Sequence, residues 1–593
     1  GGSGWAPTTV PGVLDASLGA SAFRGTVGWY RVTFEGPRAP AGFRWALRFD
    51  DVRRVATAWL NGRRIGTHDM PYAPFELPAT GLRPGRPNTL VVRVDGRKGA
   101  EPREGWWNWG GITGPVALVP EGRVALSDPG LLYLGGGRER FDGWVSNRSS
   151  RATSAAVEVT LRAPDGTPTS VRRGLGALAP GERRRVRFDF AVRRPDLWQP
   201  RRPRLYDATV EALAGDAVGD VRRMRVGLRT VTVRDGLLYV NGRRVDLRGA
   251  SVIPDVPGRG PALRDSDVAA IVGRLQALHA NVTRSHLLLD QRLLSALDAA
   301  GIMVWQQAPV YHRDRLLETP AQRAAALAEV RATVLGSRDH PSVITHSVAN
   351  ELSVVPDRTP GTRAFLDAAR ERTADLDPSV PPSVDLLSYP GYPRQATYAR
   401  FPLLGINAYF GWYAGKRGHS TARLADLGPY LERMRRIYPS ALVLTEFGAE
   451  ATERGPASEK QTYAFQAGYV RRVLDVVGSE PFMSGAIYWT LQEYAVKPDW
   501  DGGAAAAAGW PLDSIHHKGL IAYADGLHKP AWAVAAAMFA GTPLYPRTSP
   551  PAGDHAGRLA RGLPIAVPAA IVALLLASLW ATAGIWRLTR PTA

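Results

Sequence analysis

Between residues 229 and 540, eight short apolar runs alternate with segments of helical period. The runs are VDLRGA (245–250), NVTRS (281–285), IMVWQ (302–306), VITHSVA (343–349), PSVDLLS (382–388), LLGIN (403–407), ALVLT (441–445) and GAIYW (485–489). Such runs read as strands buried on both faces. Helix-period segments such as SDVAAIVGRLQALH and PAQRAAALAEVRATVL separate most of them. Eight strands alternating with helices is the pattern of a (β/α)8 TIM barrel.

The chain upstream has a different rhythm. GWYRVTFEG, RWALRFDDV, ATAWLNGRRIG, NTLVVRVDG and GPVALVPEG alternate apolar and polar residues, with turn residues between them. That period belongs to strands with one face in a core. Asn61-Gly62 predicts a tight hairpin turn. A second set follows a break near Gly122: SAAVEVTLRAPDG, RRRVRFDFAV, LYDATVEALAG and RRMRVGLRTVTV. Two successive β-sandwiches are expected, over 1–121 and 122–228, ahead of a barrel over 229–540.

Residues 541–561 are rich in Pro and Gly and read as a stalk. Residues 562–586 carry no charge and are long enough to cross a bilayer as one helix. Trp580 and Trp586 suit the membrane interface. A single-pass anchor is therefore expected, with a short basic tail at 587–593. Arginines flank the span on both sides, so their charge does not orient it.

Composition narrows the partners. There is no cysteine, hence no disulfide and no thiolate metal site. The net charge of +20 comes mostly from arginines scattered along the chain. No nucleic-acid fold signature accompanies them, so nucleic acid is not an expected partner.

In a barrel of this kind, chemistry sits where strands end. The fourth run is followed by Asn350-Glu351, and the seventh by Glu446. A carboxylate at the mouth of a buried strand costs desolvation unless something there uses it. Two of them, on strands four and seven, would face each other across the mouth. Glycoside hydrolysis requires such a pair, one acid to protonate the leaving oxygen and one carboxylate to attack the anomeric carbon.

Several motifs in order resemble glycoside hydrolase family 2, the family of β-galactosidases, β-glucuronidases and β-mannosidases. VGWYRVTF, AWLNGRRIGTH, YAPFELPAT and WWNWGGITGPV resemble its N-terminal jelly-roll. PDLWQPRRPRLYDATV resembles its immunoglobulin-like domain, and LRGAS, NVTRSH, SVANE, TEFGAE and HHKGL resemble its barrel. The resemblance implies an acid/base role for Glu351, a nucleophile role for Glu446, and an Asn350 that holds the sugar 2-hydroxyl. It places Tyr409 near the nucleophile, Tyr413 along the pocket and Trp489 as the apolar floor of the sugar subsite. Arg284, His286 and Asp255 also match the family's binding positions. Lys518 matches a lysine with which glucuronidases hold the sugar carboxylate.

There are departures from the family. His516 stands where glucuronidases place an asparagine, Ile253 where many members have histidine, and Gln306-Gln307 where many carry acids. No metal and no cofactor are expected. The reading is a retaining exo-β-glycosidase, β-glucuronidase-like or β-galactosidase-like, that takes a terminal β-linked sugar. Its domains are expected outside the cell, tethered to the membrane. The alternative is a non-catalytic carbohydrate-binding surface protein on the same scaffold.

Overall fold

The computed structural model describes residues 4–99, 105–312, 314–416, 419–500, 502 and 511–546. The expected span at 562–586, its basic tail and most of the stalk lie outside the described residues. Among the described residues, no helix is long and apolar enough to cross a membrane.

Eight parallel strands close a barrel: Leu247–Ala250, Val282–Ser285, Met303–Gln307, Val343–Asn350, Pro382–Leu387, Leu403–Asn407, Ala441–Glu446 and Met483–Tyr488. Each coincides with one of the apolar runs. Nearly every strand residue is buried, because helices cover the outer faces and the inner faces fill the barrel. Asp265–Ala277, Gln291–Ala300, Pro320–Ser337, Pro360–Leu376, Leu427–Ile437 and Tyr463–Ser479 supply that cover. Between the fifth and sixth strands the only helix is one turn, Ala396–Ala399.

The N-terminal end of the barrel is sealed. A small sheet, Val231–Arg234, Leu237–Val240 and Arg243–Arg244, brings Val231, Leu238 and Val240 into one cluster with Leu247, Met303, Ile344 and Val443. Polar chemistry is left to the opposite mouth.

Two β-sandwiches precede the barrel. In the first, a sheet in the order Val27–Glu35, Pro87–Asp95, Val55–Leu60, Arg63–His68 packs on one in the order Phe75–Pro78, Phe43–Phe49, Val116–Gly122. Asn61 and Gly62 turn the hairpin at φ of 51° and 81°, the left-handed pair such a turn demands. In the second, Val124–Tyr133, Arg138–Asn147 and Arg183–Ala191 form one sheet. Pro168–Leu178, Thr153–Arg162, Tyr206–Ala214 and Ala217–Val226 form the other.

Arg338 ties the second sandwich to the barrel. It is buried and donates to the carbonyl oxygens of Leu376 (2.8 Å), Asp128 (2.6 Å) and Asp142 (2.7 Å). Gly130 leaves room for it, since a Cβ there would lie 2.6 Å from the guanidinium Nε. Arg338→Ala should orphan these carbonyls and destabilise the chain by about 3 kcal/mol or more. Calorimetry of the full chain checks this, and an unchanged melting temperature would contradict it.

Candidate active site

The fourth barrel strand delivers Asn350 and Glu351 to the open mouth, and the seventh ends on Glu446. Glu351 leaves its strand at φ 48°, a left-handed turn that ends the run. Glu446 is buried and Glu351 nearly so.

Arg284, fully buried on the second strand, joins these groups. Its Nη1 donates to Glu446 Oε1 (2.8 Å), its Nη2 to Asn350 Oδ1 (2.8 Å) and its Nε to Asp385 Oδ2 (2.8 Å). Asn407, last in the sixth strand, donates to Glu351 Oε1 (2.9 Å) and Asn350 Oδ1 (3.0 Å). Tyr409 donates to Glu446 Oε2 (2.7 Å). His312 Nε2 lies 3.0 Å from Glu351 Oε2. All four oxygens of the two glutamates are thus engaged.

Asp385 fixes Arg284 from behind. It also accepts from Gln307 Nε2 (2.7 Å), Trp305 Nε1 (3.0 Å) and Ser347 Oγ (3.1 Å). Gly405 on the neighbouring strand must be glycine, because a Cβ there would collide with Asp385 Oδ1.

The two glutamates share one buried cluster and titrate as a pair. Burial, then the charge of Glu351, push Glu446 up to about 7 against the pull of Arg284 and Tyr409. Burial also raises Glu351, but His312 and Asn407 outweigh it and hold that carboxyl below its ordinary value. In the free site the shared proton therefore resides on the Glu446 side. That is the reverse of the acid/base and nucleophile order that the family resemblance implies.

Trp489 follows the eighth strand. Its ring lies 4.5 Å from that of His286, and the Arg284 guanidinium sits 5.7 Å above it. His286 bonds Gln307 Oε1 through Nδ1, and its Nε2 is 3.5 Å from Glu446 Oε1. Burial drives the His286 pKa well below its ordinary value, so the ring is neutral. Trp106 of the first sandwich stacks on the same ring at 5.7 Å and donates to Tyr72 (3.0 Å).

Lys518 forms the other wall. It donates to Tyr413 OH (2.7 Å) and Glu450 Oε1 (2.8 Å), and it lies 5.3 Å from the Tyr409 ring. Burial opposes its charge, but Glu450 and Tyr413 raise its pKa above the ordinary lysine value. Burial pushes His516 down to about 3. His516 is therefore neutral near pH 7, and Lys518 keeps Glu450 ionised.

Nine of the ten residues singled out in the sequence come together here. The tenth, Asp255, does not join them. Its oxygens accept from Ala495 N (2.9 Å), Tyr523 OH (3.1 Å) and Trp109 Nε1 (3.3 Å), bracing the first sandwich against the barrel. Sequence reasoning missed His312, Asn407, Asp385, Glu450 and Trp106. Asp385 and Glu450 left one signal, a carboxylate set among buried apolar residues.

A barrel that ends its fourth and seventh strands in paired carboxylates has the groups that glycoside hydrolysis requires. The model of "Glycosyl hydrolases family 2, TIM barrel domain" matches residues 231–480, and that of "Glycosyl hydrolases family 2" matches 140–229. Together they cover more than half of the chain, and it belongs to that family. The chain is 25% identical over 540 residues to a β-glucuronidase of Paenibacillus borealis, covering 83% of this chain and 86% of that one. It is 26% identical over 352 residues to a β-galactosidase of Bacteroides ovatus, covering 57% of this chain and 41% of that one. Among solved structures, a family 2 β-galacturonidase from Eisenbergiella tayi bound to galacturonate superposes with a TM-score of 0.79 at 22% identity. That match covers 91% of this chain and 93% of the other, and it shows a common fold.

The pH profile follows from the pair. Glycoside hydrolysis by such a pair uses the form with one proton on two carboxyls, so kcat/KM should be bell-shaped, with the alkaline limb near the Glu446 value of about 7. Below the depressed Glu351 value both carboxyls are protonated and the rate falls. His312→Ala removes a group that lowers Glu351, so the acid limb should move to higher pH. A profile identical to wild type would show that His312 does not act on Glu351.

Proposed function

We propose that this glycoside hydrolase is a retaining exo-β-glycosidase acting on terminal β-linked uronic acids. The observation that carries the glycosidase site is Asn350 Nδ2. Arg284 and Asn407 both donate to the oxygen of that amide, and its buried nitrogen has no partner among the described residues. A buried unpaired donor costs about 1–3 kcal/mol. A sugar hydroxyl accepting from it would recover that cost beside both carboxylates.

The chemistry runs in two displacements. Glu446 attacks the anomeric carbon as the glycosidic C–O bond breaks, and Glu351 gives its proton to the departing oxygen. Glu351 then takes a proton from water, the water attacks the anomeric carbon, and Glu446 leaves. The reactive protonation state has the shared proton on Glu351, a tautomer of the form favoured in the free pocket. Arg284, Asn350 and Asn407 link the two carboxylates in one hydrogen-bonded chain, and retention requires carboxyls about 5–5.5 Å apart.

Lys518 supports the uronide reading. Its charged ammonium has a third N–H beyond those given to Tyr413 and Glu450, and Tyr413, having accepted from it, can donate its own hydroxyl proton. The β-glucuronidase relative and the galacturonate-bound structure point the same way. One observation favours a neutral β-galactoside instead: Glu450 already neutralises Lys518 at 2.8 Å. Lys518→Ala decides between them. It should lower kcat/KM on a β-glucuronide or β-galacturonide by about 10²-fold, with a much smaller effect on a β-galactoside. Equal losses on all three would remove the uronide reading.

The two glutamates separate by their tests. Glu446→Ala should lose activity by at least ~10³-fold and regain part of it with azide, giving an inverted product. Glu351→Ala should slow poor leaving groups by about 10²–10⁴-fold and activated aryl ones far less. Equal losses on both leaving-group classes would contradict the acid role of Glu351.

We also propose that 562–586 anchors the enzyme in a membrane with its catalytic domains outside the cell. The support is the uncharged 25-residue run alone. Protease added to intact cells should then release an active fragment, whereas recovery of the untreated chain in the soluble fraction would remove the anchor.

A further inference from the structure

The outer face of the first sandwich carries an aromatic shelf that the barrel chemistry does not use. Trp29 on Val27–Glu35 and Trp59 on Val55–Leu60 meet across the strand between them, Pro87–Asp95. Their rings stack with centroids 5.6 Å apart and 28° between planes. Trp29 is 51% exposed. Trp5, 41% exposed, lies close by, with the Arg31 guanidinium 4.6 Å above its ring.

Strand register produces this shelf. Trp29 pairs with Arg93, which pairs with Thr57, while Arg31 pairs with Val91, which pairs with Trp59. These residues alternate with Tyr30, Ala58 and Val92, which face the sandwich core. The core is thus complete without the shelf. A stacked indole pair left in water on a folded surface marks a contact site.

The chemistry of the rim selects the occupant. A sugar ring offers a flat C–H face to an indole and hydroxyls around its edge. Hydroxyl pairs flank the shelf, Thr57 with Thr67 at 3.1 Å and Thr33 with Thr89 at 3.5 Å. Arg31 forms no ion pair among the described residues, and the chain as a whole carries +20. Cationic donors beside an aromatic platform suit a polymer whose sugars carry carboxylate groups.

We propose that this shelf is a second carbohydrate site, which holds a stretch of acidic polysaccharide apart from the barrel mouth. The proposal rests on the chain being a glycoside hydrolase and does not depend on which sugar the barrel cleaves.

Affinity electrophoresis of the full chain tests it, in a Glu446→Gln background that prevents turnover. Hyaluronan, polygalacturonate and alginate are the acidic probes, and dextran is the neutral one. At least one acidic polymer should retard the chain, and Trp29→Ala should weaken that retardation about tenfold. Trp29→Phe should retain part of the binding. Neither change alters charge or touches a core position, so the melting temperature should fall only by what the lost stack on Trp59 costs, a few degrees. Retardation unchanged by Trp29→Ala would overturn the proposal, because net charge alone would then explain it. So would equal retardation by dextran, retardation by none of the three acids, or a dimer in sedimentation that Trp29→Ala dissolves.

Discussion

A guanidinium buried inside the barrel is the constraint around which the mouth is built. Removing Arg284 from water costs several kcal/mol that only close, well-aimed partners can offset. Asp385 and Glu446 supply two carboxylates and Asn350 an amide oxygen, each at 2.8 Å. The same contacts that make the charge tolerable also orient the reactive groups. Asn350 cannot exchange its amide nitrogen and oxygen while Arg284 and Asn407 hold the oxygen. Glu446 cannot swing while Arg284 and Tyr409 hold one oxygen each.

Tyr409 links this ion cluster to a second one. Its hydroxyl donates to Glu446, and its ring lies 5.3 Å from the Lys518 ammonium. Lys518 and Glu450 form a buried pair of zero net charge beside the reacting carboxylates. In the proposed function, a sugar entering between the clusters has the carboxylate pair on one side and the Lys518–Glu450 pair on the other. The neutrality of the Lys518–Glu450 pair matters, because an unpaired ammonium there would pull down the Glu446 pKa. The carboxylate pair would then lose its shared proton at lower pH.

Legibility in the sequence followed the range of the interaction. The eight strands were readable because apolar runs buried on both faces announce themselves locally. Glu351 and Glu446 were readable because each interrupts such a run at its end. His312 gave no local signal, since it reaches Glu351 from the loop after the third strand, itself placed by a backbone bond from Asn350 N to Val310 O at 2.9 Å. Asp385 breaks the apolar run PSVDLLS with the carboxylate that anchors Arg284, and nothing local tells that role from a loop carboxylate. Asp255 matched a family position, yet its neighbours are Trp109 and Tyr523, and a motif does not reveal which side of a loop a carboxylate faces.

The first sandwich enters the proton chemistry through His286. That ring is covered by Trp106 on one side and Trp489 on another, and burial is the leading cause of its lowered pKa. Its Nε2 is 3.5 Å from Glu446 Oε1, close enough for an imidazolium to act as a second cation on that carboxylate. A charged His286 would add to Arg284 and draw Glu446 down from about 7. Trp106 comes from the first sandwich, outside the barrel, and Tyr72 of the same sandwich holds its indole nitrogen at 3.0 Å. By keeping water from His286, the sandwich keeps the ring neutral, and the neutral ring leaves the carboxylate pair able to retain its one proton near neutral pH. Docking of the sandwich therefore bears on the charge of the carboxylate pair, although among the described residues no sandwich residue bonds to either glutamate.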